Sequence, residues 1–161
     1  ALDSAEAALQ QTAHLKQSTR AYVLSTHEFR MENDGQKLRA IVKFSNCGGT
    51  PALNVKGCIY INVVTLPISM VFHEADYENA SSAPLAPGVP VIFSATTKNE
   101  VTWEREQIGL GKACVIVWGD VTYQDIFGKN RTTKLRIIST GEEFKGGLFE
   151  ICEEGNEIID H

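Results

Sequence analysis

The stretch LNVKGCIYINV, residues 53–63, does most to limit what this chain can become. Leu53, Val55, Ile59, Ile61 and Val63 fall on one side of an extended strand. Asn54, Lys56, Cys58, Tyr60 and Asn62 fall on the other. Alternation of this length marks a half-buried antiparallel strand.

The same grammar runs from Arg20 onward. AYVLSTHEFRM leads to the turn ENDGQ, where Asp34-Gly35 is a hairpin signal. In KLRAIVKFSN, Leu38, Ala40, Val42 and Phe44 share one face. PISMVFHE reads as a shorter strand, NASSAPLAPGVP as a loop, and VIFSATTK as a further strand. EVTWEREQIGLGK carries one or two helical turns ending at Gly109 or Gly111. ACVIVWGDVTYQD and RTTKLRIIST form a hairpin around IFGKN, and the tail offers one last short strand and an acidic end. Seven or eight strands at hairpin spacing, with no βαβ rhythm, predict a mostly β fold. The expected architecture is an immunoglobulin-like antiparallel β-sandwich over residues 20–161, preceded by an N-terminal α-helix. Immunoglobulin hallmarks are incomplete: no cysteine lies on the core face of 38–44, and no Trp on the 53–63 strand.

Residues 1–19 differ from the rest, with no Gly or Pro and many Ala, Leu and Gln. Asp3 followed by Glu6 reads as a helix cap and its partner. The apolar stripe through Leu2, Ala5, Leu9, Thr12 and Lys16 is thin, as is the heptad set Ala1, Ala8 and Leu15. A solvated stalk, roughly 28 Å long at 1.5 Å per residue, is expected. The first residue is Ala rather than Met, so an anchor upstream is expected as well.

Between two apolar runs lies SNCGGTPALNVKG, residues 45–57. In a sandwich some connections cross between sheets and turn sharply. Gly48-Gly49 would permit positive φ, Pro51 would restart a strand, and Asn46 would bond to nearby backbone. The stretch is read as a corner rather than as a loop presenting Cys47 as a nucleophile. None of His14, His27, His73 and His161 is tied to that thiol by a recognisable signature.

The net charge of −5 argues against a nucleic-acid partner. The basic run Lys129 to Arg136 reads as a solvated strand face. No stretch reaches the ~18 apolar residues of a membrane span. Cys47, Cys58, Cys114 and Cys152 have neither disulfide-scaffold nor zinc spacing, although one bridge would be compatible with them. GLGK at 109–112 lacks the rest of a phosphate loop. FHEADYE gathers His73, Glu74, Asp76 and Glu78 without matching an EF-hand or H-E-x-x-H pattern. No catalytic residue, metal or cofactor is assigned. A metal-dependent hydrolase using His73–Glu78 is the alternative.

One surface stands out. On the 113–123 strand, Val115, Val117, Val121 and Tyr123 make the better core face, which turns Cys114, Ile116 and Trp118 outward. Cys58 and Tyr60 on the neighbouring strand would join them in an apolar contact surface. The other reading has the tail or the N-terminal helix covering that face.

RAYV, VKFSNCGGTPALNV, PGVPV, VWGDVTYQDIFGKNRTTKL and a final F..C..GN pattern, spanning residues 1 to about 155, resemble a group of uncharacterised bacterial membrane-anchored proteins. These carry hydrophobic N-terminal segments, an Ala-rich helical stretch and a β-sandwich with an N-x-G-x-T-P-A motif. Asn46 to Ala52 fits that motif. The resemblance supplies no activity and no catalytic residues; it implies a bacterial inner-membrane segment absent from this chain, on either side, and the function expected is a non-enzymatic interaction module tethered there. Its expected partner is another protein or a second copy of itself.

Overall fold

A computed structural model of the chain describes residues 2–161, apart from the side chains of Leu2, Asp3 and His27. The cap expected at Asp3, and the stripe positions Ala1 and Leu2, lie outside the described residues. The helix α1 spans Leu2–Thr19. Nine strands follow: β1 Val23–Asp34, β2 Lys37–Asn46, β3 Ala52–Thr65, β4 Ala83–Leu85, β5 Pro90–Thr96, β6 Ala113–Gln124, β7 Asn130–Ser139, β8 Glu150–Ile151 and β9 Ile158–Asp160. Two short helices, α2 at Glu104–Gly109 and α3 at Gly141–Lys145, flank β6 and β7.

The strands make two antiparallel sheets. One is ordered β1-β2-β5. The other is ordered β4-β3-β6-β7-β8, with β9 also on β7. Ala40, Val42 and Phe44 of β2 meet Val117, Val121 and Tyr123 of β6 in one core, closed by Leu135 and Ile137 of β7. A second cluster, Leu38, Val101, Ile108, Ala113 and Val115, sits at one end beneath α2. The periodic strands therefore bury the rows that their sequences mark.

Three details depart from the sequence reading. Asp34 pairs with Lys37, so the first hairpin loop is Gly35-Gln36. Asn54 takes φ +52°, and the β3–β6 register slips between Leu53 and Lys56. This bulge turns Leu53 away from the face that holds Val55 and Ile59. PISMVFHE forms no strand, and residues 66–82 cross the larger sheet without regular structure. The tail holds α3, β8 and β9, where one strand was expected; these elements are too short to show a period.

The 45–57 stretch is a corner, carrying the chain from β2 in the smaller sheet to β3 in the larger. Asn46 is fully buried. Its side-chain oxygen accepts from the backbone N–H groups of Tyr22 (3.2 Å) and Gly48 (3.1 Å). Its Nδ2 donates to the carbonyls of Thr50 (2.8 Å) and Leu85 (3.0 Å). Gly48 serves close approach rather than positive φ: a Cβ there would lie 2.7 Å from Ala21 Cα. Cys47 is exposed, and all four cysteines are free.

The hairpin joining β6 and β7 is fixed by a second buried polar group. Asp125 Oδ1 accepts from the backbone N–H groups of Phe127 (2.9 Å) and Lys129 (3.0 Å). Its Oδ2 receives Arg131 at 3.1 Å, with both side chains almost fully buried. Arg131 also pairs with Asp160 of β9. The basic run is thus not a uniformly solvated face. Arg131 points inward, while Lys134 and Arg136 stand on the other side of β7.

Candidate functional site

The outer face of the larger sheet carries the chemistry. Register places Tyr60, Trp118 and Arg136 in one cross-strand row. Cys58, Asp120 and Lys134 form the next. Tyr60 stacks on Trp118 with ring centroids 5.5 Å apart. Phe72, from the 66–82 segment, packs edge-on against the same indole. The Arg136 guanidinium lies over the Phe72 ring, 3.7 Å from its centroid.

Hydrogen bonds hold the segment down. Trp118 Nε1 donates to the His73 carbonyl at 3.3 Å. The Asp76 N–H donates to the Tyr60 hydroxyl at 3.1 Å, and the Glu78 N–H to Asp76 Oδ1 at 2.9 Å. Among the described residues, no three His, Cys, Asp or Glu side chains gather as they would around a metal ion.

The expected open surface is therefore covered. Cys114 and Ile116 are fully buried, and Trp118 is 8% exposed. Cys58 and Tyr60 are half-buried. The cover over Trp118 comes from residues 66–82, not from the N-terminal helix. Burial, with a smaller contribution from Cys152, pushes the Cys114 thiol up to about 11. A hydrogen bond with Cys58 leads the causes that raise the Tyr60 phenol.

Beneath the segment lie two neighbouring cavities, of about 190 and 290 Å³, that share Glu74, Asp120 and Lys134. Phe72, Trp118 and Arg136 wall the first; Tyr77, Thr132 and His161 wall the second. Three buried polar atoms here have no hydrogen-bond partner among the described residues: Asp120 Oδ1, Arg136 Nε and the Tyr77 hydroxyl. Buried polar groups are normally paired, so three orphans around one cleft distinguish it from ordinary surface. Burial raises the Asp120 carboxyl above its ordinary range. Lys134 opposes that, Glu74 adds to it, and the Ala75 N–H opposes it. A carboxyl perturbed in this way, within a walled cleft, is a site feature.

Sequence reasoning placed Trp118 and Tyr60 here but missed Phe72, Asp120, Lys134 and Arg136 as a group. The available signal was an Asp within an apolar strand, facing a Lys-x-Arg pair on the next. It becomes visible only once the β6–β7 register is fixed.

The chain matches no protein-family model, no curated protein and no solved structure.

Proposed function

We propose that this chain is a non-enzymatic interaction module with an immunoglobulin-like sandwich, held near a bacterial membrane by a segment upstream, with α1 as its stalk. The observation that carries this reading is the exposure of α1. Every residue from 4 to 19 is exposed, Leu9 and Leu15 included. Its ties to the body lie in its second half, with Lys16 over the Phe127 ring and the Tyr22 hydroxyl reaching the Gln17 carbonyl. A helix with no buried face is suited to bridging rather than to core packing. The resemblance drawn from the sequence supplies the anchor; no helix among the described residues is long and apolar enough to cross a membrane. A hydrolase built on His73–Glu78 has less support, because His73 meets the body through its carbonyl and, among the described residues, no three His, Cys, Asp or Glu side chains gather around it.

Cell fractionation with the complete reading frame tests the proposal. The protein should sediment with membranes and come away in detergent but not in high salt. Recovery in the soluble fraction would refute the tether. Stoichiometric metal binding that is lost in His73→Ala would restore the hydrolase reading.

A further inference from the structure

We propose that the cleft between residues 66–82 and strands β6 and β7 binds a small zwitterion of the α-amino-acid class. The cleft carries two carboxylates, Glu74 and Asp120, and two cations, Lys134 and Arg136. Its charges balance, so a lone anion meets Asp120 and a lone cation meets Arg136. A molecule bearing both charges on neighbouring atoms satisfies both ends.

The unpaired atoms match that demand. Asp120 Oδ1 is a buried acceptor without a donor, and Arg136 Nε a buried donor without an acceptor. No hydrogen bond or ion pair among those described engages the Arg136 guanidinium, which rests on Phe72. Lys134 is already shared with Glu157 at 3.7 Å, so a ligand carboxylate falls to Arg136. Asp120 faces Lys134 and Trp118 faces Arg136, which makes Asp120 and Arg136 diagonal neighbours on adjacent strands. Diagonal neighbours lie ~7–8 Å apart. Both side chains line the same cavity, where an ammonium and a carboxylate on a single carbon would bridge them. Phe72 and Trp118, locked edge to face, supply the apolar wall for the ligand's side chain. The paired cavities exceed the roughly 30 Å³ share of one water several times over.

Calorimetric titration of the whole chain with glycine, L-alanine, L-phenylalanine, L-glutamate and L-lysine tests this, with acetate, phosphate and methylammonium as one-ended controls. At least one amino acid should bind with Kd below about 1 mM. Its N-acetyl and methyl ester forms should bind at least about tenfold weaker. Asp120→Asn, which keeps the shape, and Arg136→Gln should each weaken binding by about tenfold or more. If Arg136→Gln fails to fold, Arg136→Lys, which keeps the charge but loses the Nε–H, carries the same expectation. The proposal is overturned if no amino acid binds, if a one-ended control binds as tightly, or if either variant binds like the wild type. The titration needs neither membrane nor protein partner, so its failure would leave the tethered-module reading standing.

Discussion

Trp118 meets Phe72 edge to face, with ring centroids 5.5 Å apart and planes at 77°. Through this contact an irregular segment covers the outer face of β6. Trp118→Ser should accordingly cost roughly 3–5 kcal/mol, as large aromatic truncations in cores do. Thermal melting should show a clear drop with no change in association state. An unchanged melting temperature would mean that the segment does not cover the indole in solution.

Asn46 is the second sensitive point. Asn46→Ala would strand two N–H groups and two carbonyls, the Leu85 carbonyl buried and the other three part-buried. Buried groups left unpaired cost about 1–3 kcal/mol each before relaxation, so a loss on the order of 3–5 kcal/mol is expected. Asn46→Asp should fare no better, because its second oxygen would face the Thr50 and Leu85 carbonyls. Denaturant melts of both variants check this.

Asp125→Asn should weaken the β6–β7 hairpin severely. It leaves the Arg131 guanidinium, 6% exposed, short of its buried partner. Breaking such a pair from one side typically costs about 3–5 kcal/mol. The pairing with Asp160 remains but is half in solvent. A variant melting within a degree or so of the wild type would show that Asp160 alone satisfies Arg131.

Asp120 and Asp160 should give opposite pH signatures. Burial raises the Asp120 carboxyl, so the folded state holds that proton more tightly than the unfolded chain does. Stability from this group is present below the ordinary aspartate range near 4 and is lost as pH rises through the raised value. Asp160 is lowered by its hydrogen bond to Arg131, so its contribution is present above that range and is lost as pH falls through the lowered value. The groups around Asp120 are Lys134 with its partner Glu157, Arg136 diagonal to it in the same cavity, Glu74, Cys58 opposite on β3, and His161 across the second cavity. Asp120→Asn should therefore gain on the wild type as pH rises from about 4 to 8. A difference in melting temperature that stays flat across that range would contradict the assignment.

Thiol labelling offers a solvent-side check. Cys47 is exposed and should react with iodoacetamide in the native protein. Cys114 is fully buried, with its thiol pushed up to about 11. It should react only through unfolding, since the thiolate is the nucleophile. Site-resolved mass spectrometry should show Cys114 protected until the melting transition.

The strands with clear alternation were legible from sequence, and so was the corner. Leu38, Ala40, Val42 and Phe44 line the core as their spacing indicates. Leu53 was misplaced because a bulge at Asn54 interrupts the period, and one left-handed residue leaves no mark on hydrophobic spacing. Alternation leaves both an open and a covered outer face of β6 standing, because it assigns a residue to one side of a strand, not what lies above it. In β6 both sides are buried from Ala113 to Trp118. The cover, residues 66–82, has no period, and its key anchor is a single Phe72. The Asp120, Lys134 and Arg136 group was hidden for a related reason. These residues are 14 and 16 positions apart along the chain and meet only through the ladder that sets Gln124 against Asn130.

One amide has a reach beyond its four bonds. Asn46 joins the approach to β1, the corner itself and the end of β4, positions separated by 24 and 39 residues. Its bonds to Gly48 and Thr50 are local, but those to Tyr22 and Leu85 join distant positions, and such contacts form slowly. The corner should thus lock late, after both sheets have found each other. Neither sheet can then peel away alone, so hydrogen exchange at Tyr22 and Gly48 should require opening of the whole molecule rather than local fraying.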